Sequence, residues 1–442
     1  MILILLLNIL VFIFGFYNLQ KQGGIKKNFP FFLSLLILLL YTFLTPLYFY
    51  TTGRSRIFGT EDVYSKIGKD ILDFYQSGML YYGLANLLFI LGYISFKFIP
   101  NKNLNFLPIS TVYIKKVSLI IFFLLFGIIL LDLLLAGFNP LKILLSSGTD
   151  ETLFGAETTS NYLRNFADSL ITLLLFLFLF KLDKKFFIPI LVVGLVLFSL
   201  MGFRYRIILT LMGMAFIQYW QFGISKKMLT TYIIGFVCFV YFIFFITYNR
   251  FELVAGKFSE LVLDPTKFKY ETFFEQTRGV LADFTIIKHY EQNPSAQYDY
   301  GQSFVLTVIR ILPRNIFGAL KDDVYSNIIA FQQMNLAYEM PLSWGTLGEA
   351  CLHYGYFYIA FGLPGLFILS FLMGYLISRF RKIANPNTVL GNMANIIFSL
   401  ALFQYLTRGY FPQFVDHFIY LMIPLFLIRY FIRKELGKNF NH

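Results

Sequence analysis

Charge is scarce in this chain. Only 14% of its 442 residues are Asp, Glu, Lys or Arg, where a soluble domain is nearer a quarter, so a fully solvated protein is excluded. Cysteine is scarcer still. Cys238 and Cys351 lie far apart, in or beside apolar runs, and suggest neither a disulfide framework nor a metal-ligand set. There are four histidines, no HExxH and no Gly-rich phosphate loop. No DxD-type acidic cluster stands in a lysine-rich connection, where a metal-dependent nucleotide-sugar transferase would need one. No metal and no cofactor is expected. No internal repeat and no matched pair of Gly/Pro-interrupted helices marks the halves of an inverted-repeat transporter. No basic leader or small-residue cleavage site accompanies "ILILLLNILVFIFGF", which reads as a retained helix.

What is abundant is apolar surface. Hydrophobic residues make up 57% of the chain and aromatics 20%. Apolar runs near 20 residues recur along its length, enough to cross a bilayer as helices. The runs are continuous rather than alternating, so a β-barrel is excluded and helices are the only spanning solution. The pattern predicts an all-α polytopic membrane protein with about eleven transmembrane helices, at about 1–19, 30–50, 74–96, 117–137, 165–180, 186–203, 205–223, 228–248, 350–378, 388–406 and 413–431. Three consecutive regions follow: helices one to eight in 1–249, a large loop in 250–349, and the last three helices with a tail in 350–442.

Alternate connections are short and lysine-rich: "KQGGIKK", "KLDKK", "ISKK", "RFRKIANPN", the stretch 97–116 and the tail from Arg429. The positive-inside rule places these in the cytoplasm, with the N-terminus outside and the C-terminus inside. They hold 15 Lys and 4 Arg, with only Asp183 and Glu435 as acids. The opposite segments hold 8 Lys and 10 Arg and nearly all the acids. The net charge of +13 is therefore mostly an orientation signal, and nucleic acid is a poor reading. Lysine serves where any positive charge will do. Arginine, a planar fork that grips carboxylate or phosphate with two hydrogen bonds, gathers outside. An anion with several oxygens is the expected partner there. The alternative is that these arginines pair with the outer acids.

Four stretches could carry chemistry. In "SLMGFRYRIILTLMG" (199–213), Arg204 and Arg206 stand in a hairpin with almost no turn. Arginine inside hydrocarbon costs roughly 2.5–3.5 kcal/mol even on the lenient insertion scale. Both either snorkel to the interface or converge as a diphosphate clamp. In "SWGTLGEACLHYGY" (343–356), Glu349 and His353 are four apart at the expected start of a helix. That spacing places both on one helix face, suited to general-base work; the alternative is a dipole-favoured Glu and an interfacial His. In "VIRILPRNIFGALKDD" (308–323), Arg310 and Arg314 flank Pro313 and Lys321 follows, either a binding group or a surface basic patch. In "YLTRGYFPQFVDHFIY" (405–420), Arg408 lies in a short turn before Asp416 and His417 enter an apolar helix. Ionisable groups at membrane depth suggest a functional site; Asp132 and Asp168 are weaker examples, and Arg278 is a further outer arginine. The hundred-residue loop is not low-complexity. "FEQTRGVLADFTIIKHYEQN" (274–293) has helical apolar spacing at Phe274, Val280, Leu281, Phe284, Ile287 and Tyr290, and "SFVLTVIRILP" (303–313) is a second amphipathic piece. Short helices lying as a cap on the outer mouth of the bundle are expected.

The layout, with "YDYGQSF" before "ILPRNIFGALK", then "LGEACLHYGYFYIAFGLPGL", and earlier "GFRYRIIL", resembles the Wzy-type polymerases of O-antigen and capsule repeat units. The paired Arg…Gly spacings described in some members are not present here. The resemblance implies a fold like the integral-membrane (GT-C-like) glycosyltransferases with a helical extracytoplasmic cap, in the bacterial inner membrane. It implies undecaprenyl-diphosphate oligosaccharide as both donor and acceptor, no metal, and a chain-length regulator as the one protein partner to look for. Arg204, Arg206, Arg310, Arg314 and Arg408 would hold the diphosphate, with Arg278, Lys321, Asp416 and His417 as secondary candidates. Glu349 or His353 would be the catalytic base. An O-antigen ligase with the same donor, a flippase or transporter of the lipid-linked sugar, and a scaffold protein are the rival readings.

Overall fold

A computed structural model of the chain describes residues 1–55, 69–96, 111–135, 165–200, 204–223, 225, scattered positions between 230 and 249, 258–267, 274, 277–311, 316–320, 328–338 and 351–439. No strand occurs among the described residues. Seven helices there are long and apolar enough to cross a membrane: Ile2–Lys21, Phe29–Thr51, Leu72–Ser95, Val112–Leu131, His353–Ala384, Val389–Arg408 and Phe411–Lys434. The chain is thus an all-helical, multi-pass membrane protein. The expected helices at 165–180, 186–203 and 205–223 correspond to Ala167–Leu179, Lys184–Leu200 and Arg204–Ile217, the first of them shorter than a full span. The last of these runs on into a π-helical turn, Gln218–Phe222. The expected helix at 228–248 lies mostly outside the described residues.

The helices divide into two compact units that cut across the three consecutive regions expected from sequence. The first comprises Met1–Leu104 and Phe274–Asp416, the second Asn105–Phe273 and His417–His442. In the first unit α1 is Ile2–Lys21, α2 Phe29–Leu38, α3 Thr45–Thr51 and α4 Tyr75–Ser95. A π-helical turn, Leu39–Leu44, joins α2 to α3. The widened turn carries Thr42, whose Oγ1 donates to Leu38 O at 2.6 Å and accepts from Asn86 Nδ2 of α4 at 2.8 Å. The Thr42 hydroxyl and the Asn86 amide thus bond to each other without water.

The second unit contains α5 Thr111–Leu135, α6 Ala167–Leu179, α7 Lys184–Leu200 and α8 Arg204–Ile217. Helix α6 is buried almost all round, as an all-round apolar helix must be. Ser169 and Thr172 donate to the carbonyls of Tyr420 and Leu421, each at 2.6 Å.

The remaining helices are α9 Gly279–Gln292, α10 Gln302–Ile311, α11 Ile329–Tyr338, α12 His353–Ala384, α13 Val389–Arg408 and α14 Phe411–Asn439. The closest packing is between α4 and α12. A Cβ on Gly92 would collide with the carbonyl of Phe371, and one on Gly374 with that of Phe89. Paired glycines bring the two backbones into contact, the small-residue packing that apolar helices use in lipid. The turn between α12 and α13 is set by Asn385 in the left-handed region and by the Thr388 side chain, which accepts from Gly391 N at 3.0 Å.

Two features depart from the sequence expectation. Helix α9 does not present one apolar stripe as a surface cap would. Val280 to Ile287 are all buried, and α9 packs against α3, α4 and α12 within its unit. The polar residues on its other faces, Asp283, Thr285 and His289, are satisfied by hydrogen bonds, so burial is tolerated all round. Helix α12 is broken at Phe361 and Gly362, the latter at φ 67°, two residues before Pro364. The carbonyls of Ile359 and Ala360 accept instead from Asp299 N at 2.9 Å and Tyr300 N at 3.0 Å. The "YDYGQSF" segment therefore completes the break.

Candidate functional site

The second unit gathers three ionisable side chains from three helices. Asp168, in the first turn of α6, accepts from Arg206 Nε of α8 at 2.6 Å through Oδ1. Its other oxygen lies 2.6 Å from Nδ1 of His417 on α14. Tyr205 OH reaches the same carboxylate at 3.4 Å, and its ring lies edge-on to His417 and under the Arg206 guanidinium. All three are buried: Arg206 is 1% exposed, Asp168 and His417 each 3%. Arg206 therefore does not snorkel. Burying one of these charges alone would cost several kcal/mol, and the opposite charge beside it offsets that cost. Nδ1 of His417 donates to the carboxylate oxygen. The sequence named each residue, but not their convergence.

In the first unit, His353 is the first residue of α12, and Leu352 before it is extended. The helical argument that placed Glu349 and His353 on one face is therefore corrected: no helix connects them through Leu352. Glu349 itself lies outside the described residues. His353 is fully buried among Tyr354, Phe357 and Tyr405. Its Nδ1 is 3.3 Å from Leu406 O, which only accepts, so Nδ1 carries the proton. Among the described residues Nε2 has no hydrogen-bond partner.

The N-terminus of α12 is held by a residue the sequence reading passed over. Asp283 of α9 accepts from Leu352 N at 2.8 Å and from Tyr82 OH at 2.5 Å. It lies so close to Gly355 that a Cβ there would meet Oδ1. Burial pushes its carboxyl well above the usual carboxylate range, against the lowering effect of its hydrogen bonds. The available signal was a lone acid in the otherwise apolar run "GVLADF". Nearby, Tyr354 OH donates to Asn86 Oδ1 at 2.9 Å, continuing a buried polar network to Thr42.

The other sequence candidates are dispersed. Arg408 is the exposed last residue of α13, just before the left-handed Gly409. Gly409 lies against the backbone of Cys351 and Leu352, which brings this turn to the start of α12. Arg278 immediately precedes α9 and is partly buried. Asp416 belongs to the first turns of α14. Arg204 and Arg310 lie in α8 and α10 by backbone, but their side chains fall outside the described set, as do Arg314, Lys321 and the side chain of Asp132. Among the described residues, no three His, Cys, Asp or Glu side chains form a metal-binding group.

One arginine on the lysine-rich side is informative by contrast. Arg381 is 1% exposed. It donates to Gln22 Oε1 and Gln22 O at 3.0 Å and to Tyr93 OH at 3.1 Å. Arginine appears there where its fork is used, while neighbouring Lys382 is exposed.

Comparison with protein-family models, curated proteins and solved structures finds no match to the chain.

Proposed function

We propose that this chain polymerises undecaprenyl-diphosphate-linked oligosaccharide units into a surface polysaccharide, acting on the extracytoplasmic face of the bacterial inner membrane. The observation that carries the reading is the bias of the cations: 10 Arg to 8 Lys on one set of connections, 4 Arg to 15 Lys on the other. Arginine is the residue suited to a diphosphate, and lysine suffices for orientation. The resemblance of "YDYGQSF", "ILPRNIFGALK" and "LGEACLHYGYFYIAFGLPGL" to repeat-unit polymerases supplies the substrate class.

In this reading the bond that breaks joins C1 of a sugar to the carrier diphosphate. Negative charge grows on the leaving oxygens, and preorganised guanidinium groups stabilise that charge most in the transition state. Arg310, Arg314 and Arg408 of the first unit supply the contacts, and Arg204 of the second unit stands as a separate candidate. Arg206 is held by Asp168 instead. The attacking hydroxyl of the acceptor unit gives its proton to Glu349 or to Nε2 of His353, and its oxygen electron pair forms the new bond to C1. The lipid tails remain in the bilayer.

The test is deletion of the gene in its native host, followed by single replacement of Arg204, Arg310, Arg408 and His353, with surface glycan resolved by size on a gel. The reading predicts single-unit glycans on deletion and shortened ladders in the replacements at wild-type expression. Full-length polymer left on its lipid carrier would instead mark a ligase, and an unchanged ladder on deletion would remove the proposal.

A further inference from the structure

The ends of α3 and α4 and one face of α9, all in the first unit, enclose an open cleft of about 760 Å³. Six of its lining residues matter here: Tyr50, Thr51, Asp70, Asp73, Gln76 and Lys288. The cleft is preformed. Ile71 N donates to Ser55 O at 2.8 Å and Tyr75 OH to Arg54 O at 2.8 Å, tying the two turns together. Tyr75 and Phe74 pack edge-on to Phe284, which joins that rim to α9.

The lining selects one kind of ligand. Lys288 Nζ is already committed, donating to Asp70 O at 2.7 Å and to Asp73 Oδ1 at 2.5 Å. Asp70 Oδ1 accepts from Leu72 N at 3.0 Å. The second Asp70 oxygen remains as a strong acceptor, the Asp73 carboxylate also accepts from its own backbone and that of Phe74, and the exposed Gln76 amide adds a donor pair and an acceptor. Two carboxylates and one ammonium line the cleft, and Arg54 adjoins it, its carbonyl bound by Tyr75 OH. Tyr50 offers a half-buried ring, held edge-on by Tyr75 at 6.0 Å between centroids. A fixed aromatic face beside outward-facing acceptors is what a sugar ring needs: apolar C–H groups on one side and hydroxyl donors around the edge. The volume lies within the range of small-ligand pockets, roughly 300–1,000 Å³.

We propose that this cleft is the binding site for the hydroxyl-rich, non-anionic sugar end of the acceptor oligosaccharide, separate from the arginines that take the diphosphate. The assignment rests on the polymerase reading for the source of the glycan. It also places the acceptor glycan against α9, the helix that carries the Asp283 anchor of α12.

The experiment uses the purified full-length chain in detergent micelles. The probe is a set of short oligosaccharides released by mild acid from the host's surface polysaccharide, free of lipid and phosphate. Binding is followed by saturation-transfer NMR and titration calorimetry. The expected result is saturable binding that Tyr50→Ala and Gln76→Ala each weaken at least tenfold, that Tyr50→Phe largely retains, and that inorganic pyrophosphate does not displace. Absence of binding, undiminished binding in both alanine variants, or competitive displacement by pyrophosphate overturns the assignment. Gene deletion separates this from the function itself. If deletion abolishes polymer while Tyr50→Ala and Gln76→Ala bind and polymerise normally, the cleft assignment fails alone. If the variants lose binding while deletion leaves polymer intact, the cleft stands as a glycan site and the polymerase reading fails.

Discussion

Asp168 and His417, 249 residues apart in the chain, meet at 2.6 Å, with Arg206 on the other oxygen of the same carboxylate. Removing the carboxylate leaves a buried guanidinium without its counter-charge, which typically costs roughly 3–5 kcal/mol. Asp168→Ala is therefore expected to lower the thermal stability of the purified protein sharply. Replacing both charges together, Asp168→Leu with Arg206→Met, should recover most of the loss. Equal melting temperatures for wild type and Asp168→Ala would contradict the assigned role.

Asp283 makes a pH-dependent contribution of defined sign. Its carboxyl titrates well above the ordinary value near 3.8 in the folded chain, because burial disfavours the charged form. Between the unfolded and the folded value the native state binds the extra proton. Stability therefore falls as pH rises through that window. Asn mimics the protonated acid: its oxygen accepts from Leu352 N and its amide donates to the Tyr82 hydroxyl oxygen. Asp283→Asn should flatten the fall in melting temperature between pH 4 and 8 that the wild type shows. Parallel profiles for the two proteins would count against it.

Gly92 and Gly374 set the contact between α4 and α12. Each faces backbone, which cannot move aside as a side-chain tip can. Gly92→Ala and Gly374→Ala are expected to destabilise by roughly 1–3 kcal/mol each, the usual cost of overpacking. Thermal denaturation measures this directly, and an unchanged melting temperature in both would show that the helices are not in contact there.

The sidedness that underlies the proposed function is open to thiol labelling in intact cells. Thr52 and Asn387 are exposed, on connections assigned to opposite faces. Cys238 is first replaced by Ala and Cys351 is buried, so the Cys238→Ala chain serves as the blank. An impermeant maleimide should label Thr52→Cys from outside and leave Asn387→Cys unlabelled until the membrane is permeabilised. The reverse pattern would place the arginine-rich connections in the cytoplasm.

Seven of the eleven expected spans are found as long apolar helices, legible because the period of such a run does not matter once both faces are buried or in lipid. The cation partition was equally legible, being a matter of counting along the chain. What the sequence hid depends on contacts distant in the chain. Asp168 meets residues 38 and 249 positions away, and Asp283 caps a helix 69 positions away. The break in α12 was half visible: "FGLPG" carries both a residue able to take positive φ and a proline. The spacing of Glu349 and His353 misled because helical periodicity was extended across Leu352, where the backbone is extended. The apolar stripe of α9 was read correctly as a helix. Its all-round burial was not, because Asp283, Thr285 and His289 look like a solvated face until their partners are known.

The most direct test of the account is reconstitution. The purified full-length chain is placed in a bilayer with the host's undecaprenyl-diphosphate oligosaccharide as the only sugar, without metal or nucleotide. Products are sized on a gel and released undecaprenyl diphosphate is measured. The account predicts a ladder of multi-unit glycans with one carrier released per bond formed. Input units that remain single, in protein that stays folded and properly oriented, would contradict it.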